Sequence, residues 1–202
     1  IKVQHHHAHI ASCIVENKLD ETVIGVSFDG TGYGSDGNIW GSEFLIADLK
    51  DFERYTHFDY IELPGGDKAV EEPWRTTVSY LYKYFKKDFL DLKLPFLDNI
   101  DKNKINMILS AIDRKINCPL TSGAGRLFDA IAAITGICKI SGFHAEAPMR
   151  LESIAADNIE DCYDFEINKT ISFKNLFKEI VVDIKEGISE SIISTKFHNT
   201  II

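Results

Sequence analysis

The run Val23-Ile24-Gly25-Val26-Ser27-Phe28, continuing into Asp29-Gly30-Thr31-Gly32-Tyr33-Gly34-Ser35-Asp36-Gly37, limits the fold more than any other part of the chain. Its first half has the apolar density of a buried strand, and its second half is turn chemistry throughout. Ile39–Ala47 then reads as a returning strand, which predicts antiparallel strands joined by a glycine-rich turn. A returning strand in this place excludes the Rossmann and P-loop fingerprints, both of which need a helix after the glycines. Glycines here let backbone N–H groups approach an anion closely, and Asp29 at the strand end is placed for a metal or for the Mg²⁺ of a nucleotide. An ordinary glycine-rich hairpin turn explains the same residues equally well.

Around this hairpin the apolar periodicity predicts helices over residues 3–17, 74–89, 99–115 and 124–136, the last stopped by Gly136. A short strand is expected at 58–63, before the break at Pro64-Gly65-Gly66. Residues 164–167 and 170–172 pair as a hairpin around Asn168-Lys169. From Phe173 onward, Leu176, Ile180, Val181, Ile184, Ile188 and Ile192 mark one long amphipathic helix or two. The mixed lysines and aspartates of 86–101 read as a solvated connection. The expected class is therefore α/β, with a mixed sheet, β-hairpins and flanking helices.

Composition narrows the function. The net charge of −9 over 202 residues argues against a general grip on nucleic-acid phosphates, and no nucleic-acid partner is expected. No apolar run approaches the ~18 residues that span a bilayer, so no membrane partner is expected either. Cys13, Cys118, Cys138 and Cys162 form no CxxC pair, and reduced thiols in the cytoplasm are the default expectation. The chain opens on Ile1 and closes on Ile201-Ile202, and both ends read as cut.

Four stretches carry chemistry. His5-His6-His7-Ala8-His9 leads into an apolar helical segment, where His5 and His9 are an i, i+4 pair able to hold one divalent ion between two ring nitrogens. An anion is the other guest such imidazoles accept, and a solvated loop or a tag remnant is the plain alternative. In Leu63-Pro64-Gly65-Gly66-Asp67-Lys68, Lys68, or Arg75 further on, could neutralise a phosphate or carbamoyl oxygen. A helix entry with Asp67 as N-cap is the competing reading. Thr121-Ser122-Gly123-Ala124-Gly125-Arg126-Leu127-Phe128-Asp129 brings small residues to a helix start, where free N–H groups face an anion, Arg126 adds charge and Asp129 can accept from ribose hydroxyls. Ser141-Gly142-Phe143-His144-Ala145-Glu146-Ala147 is a further small-residue turn.

Together these motifs suggest the actin-like ATPase architecture (ASKHA, with ribonuclease H-like lobes), in which a nucleotide lies between two α/β lobes. In this order, Val3-Gln4-His5-His6-His7-Ala8-His9-Ile10-Ala11-Ser12, Phe28 to Gly34, Leu63 to Lys68 and Thr121 to Ala130 resemble the HypF carbamoyltransferases of NiFe-hydrogenase maturation, in their C-terminal part related to the tRNA threonylcarbamoyl-transferase family. The resemblance implies a fragment of the carbamoyl-transfer domain, with a first lobe over roughly 1–70 and a helical, nucleotide-contacting part over roughly 71–202. It implies metal ligands at His5, His9 and Asp29, with iron or zinc the expected ion and magnesium possible, and a further ligand beyond Ile202. It implies ATP-derived carbamoyl-adenylate as substrate, contacted by Phe28, Gly30, Thr31, Gly32, Gly65, Gly66, Gly125, Asp129 and Gly142, with Asp29, Lys68 and Arg126 acting on the reacting group. It implies HypE as the partner supplying the acceptor cysteine, and carbamoyl phosphate and ATP reaching this domain through other HypF domains. The alternatives are a threonylcarbamoyl transferase acting on tRNA, which the acidic charge opposes, and a non-catalytic nucleotide- or metal-binding module.

Overall fold

The computed structural model describes residues 2–202; Ile1, the first residue of the expected first lobe, lies outside them. Helix α1 (His5–Glu16) packs on a sheet built from β1 (Val23–Tyr33), β2 (Ile39–Ala47), β3 (Phe52–His57), β4 (Ile61–Glu62) and β5 (Leu120–Thr121). The order is β1-β2-β5-β4, with β3 also paired to β2. Strand β2 shares its second edge between two neighbours: Ile39 pairs in parallel with Thr121, while Glu43 to Ala47 pair antiparallel with β3. The sheet is therefore mixed, as the alternation of elements predicts.

The hairpin differs from its expected form. Only the second half of the Asp-Gly-rich stretch, Gly34 to Gly37, lies in the turn, and Asp29 to Tyr33 still belong to β1. Strand β1 pairs with β2 as far as Phe28↔Ser42, slips through a bulge, and resumes at Gly32↔Trp40 and Tyr33↔Ile39. Asp29, Gly30 and Thr31 occupy the bulge, a device that kinks a strand and re-aims side chains. The reversal comes later, where Asp36 accepts hydrogen bonds from the Asn38 N–H, Trp40 Nε1 (2.9 Å) and the Tyr60 hydroxyl (2.6 Å). Burial opposes ionisation of Asp36, but these donors outweigh it and hold its pKa down to about 2.

The helical part consists of α2 (Asp67–Glu71), α3 (Pro73–Phe85), α4 (Lys102–Asp113), α5 (Ala124–Ile134), α6 (Glu146–Ser153), α7 (Lys174–Glu186) and α8 (Glu190–Ile201), with a small hairpin of β6 (Glu166–Ile167) and β7 (Ile171–Ser172). The last apolar run is thus two helices, broken at Gly187 and Ile188. Helix α2 matches the competing reading of a helix entry at Asp67, whereas helix α6 and strands β3 and β5 were not expected; they are short, and short segments carry little periodicity. Helix α5 is the centre of the layer. Its alanines let α3 approach so closely that Thr77 Oγ1 donates to the Ala130 carbonyl at 3.0 Å.

The stretch 86–101 is not a solvated connection. Phe89, Leu94 and Phe96 are fully buried in the main core, which runs from Phe58 and Ile61 through α5 to Phe197. The charged residues between them face outward, and the mixture conceals the buried face from a reading of composition. A second, smaller core of Ile10, Ile14, Leu45 and Ala47 fastens α1 to the sheet. Phe89→Ala is expected to lower the unfolding free energy by about 3–5 kcal/mol, measured by urea denaturation. A loss below about 1 kcal/mol would mean that this stretch is solvated after all.

Candidate functional site

The bulge delivers Asp29 to the first turn of α1. His5 Nε2 lies 2.9 Å from Asp29 Oδ2 and 3.2 Å from His9 Nε2. One ligand atom from each of the three residues falls within 4.8 Å of the others. A zinc ion bound at about 2.0–2.1 Å from nitrogen spaces tetrahedral ligands about 3.3 Å apart, close to the two separations at His5, so the trio is competent to hold a divalent metal. Burial opposes ionisation of Asp29, but the His5 ring and the N–H groups of Thr31 and Gly30 prevail and keep its carboxyl below the ordinary range. The other two imidazoles serve the fold. His6 is fully buried, and His7 sets Nε2 2.7 Å from the Asp48 carbonyl.

Asp29 also lines a cavity of about 720 Å³. Gly30 and Thr31 of the bulge, Asp67 and Glu71 of α2, Gly125, Arg126 and Asp129 of α5, and Gly142, Phe143 and His144 complete much of its wall. The start of α5 reaches the bulge through backbone alone. A Cβ on Gly123 would stand 2.5 Å from the Gly30 carbonyl oxygen, and one on Gly41 2.5 Å from that of Asp29. Beneath, the fully buried Glu43 accepts from Ser122 Oγ (2.7 Å), the Gly41 N–H (3.1 Å) and Arg54 Nε (2.6 Å).

Inside the cavity, Arg126 Nε lies 2.9 Å from Asp129 Oδ2. The distance is that of an ion pair, but the angles are not those of a hydrogen bond, and both atoms are buried without a hydrogen-bond partner among the described residues. Burial raises the Asp129 pKa to about 6, although Arg126 pulls the other way. Two residues lining the cavity thus hold a buried donor and a buried acceptor that make no hydrogen bond, an arrangement that concentrates at functional sites.

Not every expected contact residue is here. Lys68 is absent from the cavity wall: its ammonium sits 2.7 Å from Oε2 of Glu71, a wall residue, and 3.6 Å from Glu72. Gly65 and Gly66 shape the turn into α2, with the Gly65 N–H donated to the Asn117 carbonyl. Asp67 is the first residue of α2 rather than its cap. Phe28, the last residue paired before the bulge, is absent from the cavity wall and packs on Phe44 and Phe58. Gly32 lies against the His5 and His6 rings. Gly125 lines the cavity beside Gly30, and the Gly142 N–H is bound by the Glu146 carboxylate. The acids Asp67 and Glu71 and the exposed Phe143 and His144 were not singled out as wall residues; only proximity through the fold reveals them.

The fold and site define a mixed α/β domain with a metal-competent trio at the lip of a cavity walled by a helix start. Residues 25–202 match the model of the second subdomain of the Kae1-like carbamoyltransferase domain, and the chain belongs to this family, that of the HypF proteins. It is 43% identical over 161 residues to carbamoyltransferase HypF of Rhodobacter capsulatus, covering 78% of this chain and 21% of that one. With carbamoyltransferase HypF of Synechocystis it shares 32% over 219 residues, covering 99% and 28%. A full-length HypF crystallised in a phosphate- and nucleotide-bound form superposes with a TM-score of 0.92 at 44% identity, over all of this chain and 32% of that one. HypF of T. kodakarensis gives 0.82 at 34% identity, over 96% and 27%. The chain thus spans roughly a fifth to under a third of the length of these curated relatives.

Because the Asp129 pKa is raised on folding, its contribution to stability is fully present below its unfolded pKa and is lost as pH rises through about 6. The stability difference between wild type and Asp129→Asn is therefore expected to shift against wild type by up to about 3 kcal/mol between pH 4 and pH 7, measured by denaturant unfolding across pH. A pH-independent difference would contradict the buried, incompletely paired state of this carboxyl.

Proposed function

We propose that this chain is the part of a cytoplasmic carbamoyltransferase that binds carbamoyl-adenylate and passes its carbamoyl group to the C-terminal cysteine thiolate of HypE. One observation carries the reading: a single residue, Asp29, joins a trio of metal-competent ligands to a cavity holding an unsatisfied Arg126–Asp129 pair. The names of the relatives support the type of reaction. In the full-length protein, carbamoyl phosphate and ATP reach this domain as the mixed anhydride made elsewhere in the polypeptide.

Arg126 and the N–H groups at the start of α5 hold the phosphate of the adenylate, where a fixed guanidinium and a helix N-terminus both favour an anion. Asp129 accepts from the ribose hydroxyls. His5 Nε2 and Asp29 Oδ2, 2.9 Å apart, would exchange that contact for bonds to one shared ion. Two imidazoles and a carboxylate suit iron or zinc better than magnesium. Such an ion, when bound, supplies a Lewis acid beside the carbamoyl carbonyl or the phosphate. The incoming thiolate forms the C–S bond as the C–O bond to phosphate breaks, and adenylate leaves with the electron pair. The nucleophile belongs to HypE, and this chain need provide none.

The test is transfer to HypE by the full-length protein supplied with carbamoyl phosphate and ATP, read by mass spectrometry of HypE, alongside metal analysis. The His5→Ala/His9→Ala variant is expected to lose bound metal and to slow transfer by about 100-fold or more, beyond what the loss of an orienting neighbour alone costs. Transfer at the wild-type rate in that variant would overturn the mechanism, and absence of HypE carbamoylation by wild type would overturn the assignment.

A further inference from the structure

The trio is held in place by residues that have no ligand atom in it. Gln4 is the N-cap of α1: its Oε1 accepts the N–H groups of His6 and His7, the latter at 3.1 Å. Its Nε2 donates to the Tyr33 carbonyl on β1 at 3.0 Å and lies 3.2 Å from His6 Nδ1. With Nδ1 accepting from Gln4, the His6 proton belongs on Nε2, an assignment made from the network. That nitrogen is buried with no hydrogen-bond partner among the described residues. A fully buried imidazole with an idle N–H is costly to keep, so its packing is what the site uses.

The ring lies against Gly32. A Cβ there would overlap His6 Cε1, stand 2.9 Å from His6 Nε2 and come within 3.2 Å of His5 Cδ2. Trp40, the β2 residue paired with Gly32, closes the other side, with ring centroids 6.0 Å apart. Gly32 is also the residue at which pairing resumes after the bulge that carries Asp29. Any side chain at this position displaces either the first turn of α1, with His5, or the bulge, with Asp29. Both movements open the 2.9 Å contact between them.

We propose that Gln4 and Gly32 are positioning residues for the metal ligands: Gln4 ties the first turn of α1 to β1, the bare Gly32 backbone seats the His6 ring, and together they set the separation of His5 from Asp29. This rests on the metal reading above and adds to it what fixes the ligand geometry. Gly32 accordingly works on the ligands and not on a bound phosphate.

The test titrates the metal-free protein with Co²⁺ and follows the visible absorption, whose intensity and shape report coordination geometry. Gly32→Ala is expected to weaken Co²⁺ binding about tenfold or more and to change the spectrum, as loss of an orienting partner does elsewhere. Gln4→Ser, which keeps a capping hydroxyl but is too short to reach Tyr33, is expected to do the same and carries the test if Gly32→Ala fails to fold. Gly37→Ala is the control in the same hairpin: a Cβ there has nothing within 4 Å, and although its φ of +83° makes the change destabilising, affinity should stay at the wild-type value. Wild-type affinity and spectrum in both Gly32→Ala and Gln4→Ser would overturn the inference. Wild type that binds no Co²⁺, or a His9→Ala variant that binds as well as wild type, would instead overturn the metal reading beneath it.

Discussion

The site depends on a close approach of backbone to backbone. Strand β1 at its bulge, strand β2 at Gly41 and the start of α5 at Gly123 meet at separations that admit no side chain. Everything in the cavity follows from that meeting: the bulge presents Asp29, Gly30 and Thr31 on one wall, and α5 presents Gly125, Arg126 and Asp129 on the other. The contact is secured from below by Glu43, whose carboxylate is shared among β2, Arg54 of β3 and Ser122 of the loop before α5. A buried charge is tolerated here because it is fully engaged by donors, and it ties together three segments far apart in sequence.

What the chain disclosed in advance, and what it withheld, follow from the range of the forces involved. The His5 and His9 pairing was legible because helical spacing is a local property, and the metal-competent trio needed only a strand end nearby. The α/β class was legible from alternating periodicities. The bulge was not, because glycine and aspartate signal a turn whether the chain reverses or merely slips one strand against the other. Cross-strand pairing of Gly32 with Trp40 decides between them, and that is a long-range matter. Lys68 looked suited to a phosphate because of its neighbours in sequence, but the glutamates three and four residues on claim its charge. Phe89, Leu94 and Phe96 were masked by the charges between them, since no regular period marks short irregular turns.

The four imidazoles of the first helix divide their labour by helical angle. His5 and His9 face Asp29 and the solvent, His7 reaches the Asp48 carbonyl, and His6 turns inward against Gly32 and Trp40. The same dense run therefore supplies both the ligands and the packing that holds them, and Gln4 before it closes the helix end and joins it to the sheet. Glycines that at first suggest a cradle for an anion serve in large part to let rings and backbones come together.

Asp29 belongs to the trio and to the cavity wall at once, so neither can be filled without the other registering it. A cation held against its carboxylate would cancel one of the four negative side chains, Asp29, Asp67, Glu71 and Asp129, that line the cavity with Arg126. The free energy of one binding event then contains a contribution from the other, and thermodynamic reciprocity requires the effect to be equal in both directions. If an anion and a cation bind there as proposed, each tightens the grip on the other by the same factor. One carboxylate in a strand bulge would thereby couple the two proposed sites.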